Sequence, residues 1–175
     1  MFVRGERIVT EQGIVGGILN VEQGRITEIL PLSARVAVTE DAGKNWILPG
    51  IIDTHNHGTM GYSLMSSQLD NEKAVRGYLK GLASQGVTAC LATACVDLFS
   101  TVAAVSRTEI DGARPIGIHS EGPYLNRVGE KGIDRGHPDI EIGYLEHMVN
   151  RAEGMLKLVA IAPELPGAQK AIEFL

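Results

Sequence analysis

The chain has 175 residues, of which 44% are hydrophobic and 21% charged, a balance that argues against a disordered polypeptide. A net charge of −5 without any Lys/Arg cluster argues against a nucleic-acid partner. No apolar stretch approaches membrane-spanning length, and the start, Met-Phe-Val-Arg-Gly-Glu-Arg, lacks the apolar core of a signal peptide, so a cytoplasmic protein without a membrane partner is expected. Cys90 and Cys95, five apart in an apolar stretch, match no zinc or redox spacing and read as buried, reduced thiols.

Residues 1–48 read as a small β unit. Phe2-Val3, Ile8-Val9 and Ile14 to Val21 are apolar runs. Glu22-Gln23-Gly24 is a turn signal, and Arg25 to Leu30 alternates beyond it, which predicts a hairpin. Val36-Ala37-Val38 and Trp46-Ile47-Leu48 are expected to complete the unit.

From residue 49 the pattern turns to strand, helix, strand, helix. The expected strands are Ile51 to Asn56, Val87 to Ala94, Pro115 to Glu121 and Leu156 to Ala162. A helix over 70–85 puts Val75, Tyr78, Leu79 and Leu82 on one face, with Asp70 or Asn71 as N-cap and Gly86 past its end. A second over 98–110 has Asp97 as candidate N-cap. A third over 140–152 is expected to bury Ile142, Leu145, Val149 and Ala152, and a fourth begins at Ala168. Consecutive βα units imply a parallel sheet with right-handed crossovers. Polar groups recur at carboxyl ends of strands, where a (β/α)₈ barrel keeps its active site. Four units fill half of such a barrel. The expected fold is therefore α/β, the first half of a (β/α)₈ TIM-type barrel over 49–175 behind a small β unit, with further strands in a longer chain. A complete four-unit open sheet is the alternative, disfavoured because both edges would be bare parallel strands.

The chemistry centres on Asp53-Thr54-His55-Asn56-His57-Gly58 and His119-Ser120-Glu121-Gly122-Pro123. Strand alternation puts Asp53, His55 and His57 on one face, and likewise Gly117, His119 and Glu121. In a barrel, His55, His57 and Glu121 converge at one mouth. Two imidazoles and a carboxylate suit a hydrolytic divalent metal, zinc first, with iron, nickel and cobalt also using imidazole. Such a metal acidifies bound water and polarises a carbonyl. His119, one pleat deeper, reads as a hydrogen-bonding partner behind the metal ligands or a satisfied core histidine, and Asp53 shares that ambiguity.

Leu48-Pro49-Gly50-Ile51-Ile52-Asp53-Thr54-His55-Asn56-His57-Gly58 resembles the first-strand signature of the amidohydrolase superfamily. His119-Ser120-Glu121-Gly122-Pro123-Tyr124-Leu125-Asn126 resembles, more specifically, a segment of the N-acetylglucosamine-6-phosphate deacetylases. Gly86-Val87-Thr88 with Thr93, and Ala162-Pro163-Glu164, are similar to that family's second and fourth strands. The resemblance covers the whole chain and the first half of the enzyme. It implies a metal-dependent carbon–nitrogen hydrolase, often a homodimer, that removes acetate from an N-acetylamino sugar or its phosphate. Glu121 would be the principal metal ligand, and His55 and His57 the pair for a second ion. The remaining histidine ligands and the proton-transferring aspartate would lie on later strands, so no catalytic acid or base is expected in this segment and the segment alone is expected to be inactive. The family's Lys-Gly-Ala-His or Lys-Gly-Thr-His stretch touches substrate with its last two residues. Here it reads Lys131-Gly132-Ile133-Asp134, one residue further from the glutamate, which makes Ile133 and Asp134 the candidate substrate contacts. An ionised Asp134 cannot donate a hydrogen bond and repels a phosphate; His137 is a candidate substitute.

Two other readings remain. One is a different amidohydrolase, either a cyclic-amide hydrolase or a deaminase. The cyclic-amide branch would want a carboxylated lysine at the end of the fourth strand, whereas Lys157 stands at its beginning. The other is a non-catalytic module that binds metal or only assembles.

Overall fold

The computed structural model describes residues 1–128, 133–134 and 139–175, and of 127, 128, 133 and 134 the backbone alone. The chain forms two compact units, Met1–Pro49 and Gly50–Leu175.

In the first unit, β1 (Phe2–Thr10), β2 (Gly13–Glu22) and β3 (Arg25–Leu30) form an antiparallel meander. Gln23 and Gly24 both take positive φ, 50° and 75°, the twist that a tight hairpin requires. β4 (Glu40–Asp41) and β5 (Trp46–Ile47) run parallel to β1. The two apolar runs expected near the start are one strand, with an irregularity in register between Gly5 and Ile8. Val36-Ala37-Val38 is not a strand. The short parallel pairing falls instead at Glu40–Asp41, where Thr39 N donates to Phe2 O and starts the ladder. Ile8, Ile18 and Leu19 are buried.

The second unit is built on a parallel sheet in the order β11-β8-β7-β6: β6 (Ile51–Asp53), β7 (Val87–Thr93), β8 (Arg114–Glu121) and β11 (Leu156–Ala160). A two-residue pair, β9 (Arg127–Val128) and β10 (Ile133–Asp134), follows β8 as an antiparallel hairpin. The helices are α1 (Asn71–Ala83), α2 (Phe99–Ser106), α3 (Ile142–Ala152) and α4 (Ala168–Phe174). α1 starts where the Asp70 carboxylate accepts from Lys73 N and buries Val75, Tyr78, Leu79 and Leu82. Each of these side chains contributes up to about 1.5–3 kcal/mol of transfer free energy.

Two helix expectations are corrected. Asp97 does not cap α2, because the chain first makes a 3-10 turn over Val96–Leu98, and its carboxylate accepts from Ser67 Oγ at 3.0 Å instead. α3 buries Leu145, Met148 and Ala152, while Val149 is exposed on the next face. At the sheet, Ile52, Ile116 and Leu158 are exposed apolar residues.

Both cysteines are free. Burial, with a smaller contribution from Asp53, pushes the Cys90 thiol up to about 12. Because the thiolate is the nucleophile, Cys90 is expected to stay unmodified by iodoacetamide at pH 8 in the folded protein and to react only after denaturation. Cys95 is half-buried. Mass mapping of the labelled peptides checks this, and rapid native labelling of Cys90 would contradict its placement.

Candidate metal centre

β6 ends at Asp53, earlier than expected, so both histidines sit on the turn that follows the strand. Side-chain hydrogen bonds, not sheet pairing, shape that turn. Asp53 Oδ1 accepts from His55 N at 3.1 Å, Thr93 Oγ1 from Asn56 N at 3.1 Å and Asn56 Oδ1 from Gly58 N at 2.7 Å. Thr93 lies on β7, so it ties the turn to the sheet floor. Ser63 Oγ donates to His57 O at 2.7 Å. Gly58 has φ 154°, and a Cβ there would meet Tyr62 O at 2.7 Å, so glycine is required.

β8 brings the other half. Glu121 is its last residue, and Gly122 follows at φ 94°. His57 Nε2 and Glu121 Oε2 are 2.6 Å apart. The ligand atoms of His55, His57 and Glu121 all lie within 4.8 Å of one another, with both histidines exposed and Glu121 half-buried. A tetrahedral ion with bonds of about 2.1 Å needs donors roughly 3.4 Å apart, so side-chain rotations of about 1 Å suffice to enclose one. The donor set, two imidazoles and a carboxylate, fits a divalent metal.

His119 is 5% exposed and sits under the triad. Its Nδ1 is 3.2 Å from Thr54 O and 3.1 Å from His55 Nδ1. A carbonyl only accepts, so His119 Nδ1 carries the proton and donates to Thr54 O, with His55 Nδ1 presenting its lone pair to the same N–H. His119 Nε2 is buried without a partner among the described residues. Burial, then the neighbouring His55, holds the His119 imidazole below its usual pKa, so it stays neutral.

The structure thus brings His55, His57 and Glu121 together, with Asp53 and His119 bonded directly behind His55. It places Ile133 and Asp134 on β10, opposite Val128 and Arg127, while their side chains and His137 lie outside the described residues. Lys157 is the second residue of β11. Thr93, Ser63 and Tyr62, which hold the histidine turn, were not singled out from the sequence as turn-holding residues. Their only signals are a threonine at a strand end and small polar residues in a loop.

No protein-family model matches the chain. The N-acetylglucosamine-6-phosphate deacetylase of Vibrio furnissii is 30% identical over 179 aligned residues, covering 95% of this chain and 41% of that protein. An N-acetylgalactosamine-6-phosphate deacetylase of Escherichia coli O157:H7 is 31% identical, over 99% of this chain and 47% of its own length. Among solved structures, a mutant N-acetyl-D-glucosamine-6-phosphate deacetylase from Mycobacterium smegmatis, in complex with N-acetyl-D-glucosamine-6-phosphate, superposes with a TM-score of 0.73 at 23% identity, covering all of this chain and 46% of that one. The chain spans less than half the length of these relatives. Along its whole length it matches their N-terminal part, and its fold is that of the corresponding part of the solved deacetylases.

Proposed function

We propose that this chain, matched end to end by amino-sugar phosphate deacetylases, is the metal-holding half of such an enzyme, which hydrolyses the acetamide of an N-acetylamino sugar phosphate to acetate and the amino sugar. The observation that carries the reading is the His55–His57–Glu121 cluster at the carboxyl ends of two parallel strands, in a chain that aligns with such a deacetylase over 95% of its length. A bound divalent ion, zinc as first choice, with iron, nickel or cobalt using the same donor types, would polarise the acetamide carbonyl and acidify water. His55, His57 and Glu121 would hold that ion. Asp53 orients His55 through its backbone N–H, and His119 does so through its ring. Asp53 thereby fixes the main chain at His55, and His119 restricts how its ring rotates, as a partner behind a metal ligand does. Ile133 and Asp134 would meet the sugar, and proton transfer would fall to an aspartate on a later strand. Exposed Ile52, Ile116 and Leu158 suit a barrel whose further strands pack there. A cytoplasmic homodimer belongs to the same reading and rests on the resemblance alone.

The test is acetate release by the metal-loaded whole protein over a panel of N-acetyl sugars and their phosphates. No acetate from any of them would overturn the proposal. Asp134→Ala should leave metal content unchanged while favouring phosphorylated over neutral sugars. Two charges at 4 Å in water interact by about 1 kcal/mol, so the ratio of kcat/KM values should move roughly fivefold. Loss of metal in Asp134→Ala would contradict this division of roles.

A further inference from the structure

We propose that Asn126 and Glu164 form a clasp that positions the substrate-contacting hairpin against the end of β11. The inference rests on the deacetylase reading for the hairpin's role, and on geometry for the clasp itself. Asn126 Nδ2 donates to Glu164 Oε1 at 3.0 Å across 38 residues of sequence. Asn126 immediately precedes β9, and within the hairpin Asp134 stands opposite Arg127. The side-chain bond therefore grips the hairpin at its base, one residue from the Arg127–Asp134 pair.

A second link supports the first. Ala162 N, just past β11, donates to Tyr124 O at 2.8 Å, and Tyr124 is 2% exposed. That backbone bond fixes the segment only as far as Tyr124. Leu125 N donates to Pro123 O at 3.0 Å within the same turn, so Asn126 supplies the next tie from this segment to the residues past β11. The clasp also stands beside the metal centre. Ala160 pairs in register with Glu121, and Leu125, Asn126, Ala160, Ala162 and Glu164 line a cleft of about 710 Å³. Neither clasp residue is part of the ligand triad, and Asn126 is one of Glu164's partners, not its sole one. Both therefore act as positioning residues.

The polarity of the bond supplies the test. Asn126 must donate and the carboxylate must accept. Asn126→Asp sets two carboxylates against each other. Glu164→Gln leaves an amide oxygen that still accepts from Asn126. The double variant, Asn126→Asp with Glu164→Gln, rebuilds the bond with donor and acceptor reversed. In the whole protein, Asn126→Asp should raise KM about tenfold with kcat changed less than about threefold, and Glu164→Gln, which keeps the acceptor for Asn126, should raise KM less than Asn126→Asp does. The double variant should recover most of the loss, and metal content should stay constant throughout. In parallel, hydrogen exchange at the amides of Arg127, Val128, Ile133 and Asp134 should speed up in Asn126→Asp and slow again in the double variant. That readout needs no activity. Unchanged exchange in Asn126→Asp, or no recovery in the double variant, overturns the clasp even in an active enzyme. An inactive wild type overturns the deacetylase reading while leaving the exchange arm to decide the clasp.

Discussion

On the deacetylase reading, Glu121→Gln in the whole protein is expected to empty the candidate metal centre and stop acetate release. Glu121 closes a triad whose other two members are neutral donors on an exposed turn, so it supplies the only negative charge among the three. An amide keeps the shape and loses that charge, and its nitrogen cannot ligate as a carboxylate oxygen does. Removing a partner behind a ligand typically costs about 10–100-fold in metal affinity, so removing the ligand itself should cost more than roughly a hundredfold. His57 Nε2 now lies 2.6 Å from Glu121 Oε2, as a donor to that carboxylate. To bind metal through Nε2, the imidazole must carry its proton on Nδ1 instead and give up this contact, so His57 changes tautomer as the ion enters. Metal analysis after dialysis, titration against a competing chelator and acetate release together check the variant. Stoichiometric metal with wild-type turnover in Glu121→Gln would show that the triad is not the centre.

Much of this was legible in the residues. α1 announced itself through the i, i+3, i+4, i+7 spacing of Val75, Tyr78, Leu79 and Leu82 and an aspartate at its cap, all local features. The two segments that carry the candidate metal ligands were legible because paired histidines and a strand-end glutamate are chemically conspicuous. What escaped was set by partners distant in sequence. The histidine turn is not an extension of β6, although alternation continues through it, because Asp53 and Thr93 capture its backbone N–H groups before a neighbouring strand can. Asp97 looked like a cap, yet Ser67, thirty residues earlier, takes its carboxylate. The start of α2 therefore lacks a side-chain cap, and the chain eases in through a 3-10 turn. Val149 fits the helical period as well as Met148 does, and only the placement of α2, the 3-10 turn and α4 against α3 chooses between them.

Gly77→Ala should destabilise the protein and loosen the metal, although it places the best helix former inside a helix. Intrinsic propensity would favour the change by about 0.5–1 kcal/mol. Against that stands the Tyr62 ring, which lies directly on Gly77, so that a methyl group there would overlap three ring carbons. Overpacking of this kind costs about 1–3 kcal/mol, so the steric term outweighs propensity. A net loss of about 1–2 kcal/mol should lower Tm by roughly 2–8 °C in a protein of this size. The ring cannot move alone. Tyr62 and Thr59 exchange two backbone hydrogen bonds of 2.9 Å, and the next residue, Ser63, holds the carbonyl of His57. Gly81 supports the same segment from the next turn of α1, where a Cβ would meet Thr59 Cγ2 at 2.8 Å. Displacing Tyr62 should therefore shift His57 away from Glu121, and metal affinity should fall about tenfold, as when a ligand loses its support. Tyr62→Ala removes the obstacle. In that background Gly77→Ala should cost nothing further and should recover the helix-propensity gain. Thermal melts and metal titrations of the two single variants and the double variant test the chain of contacts. A Gly77→Ala protein that melts above wild type and binds metal as tightly would show that the turn carrying His57 does not depend on the glycine face of α1.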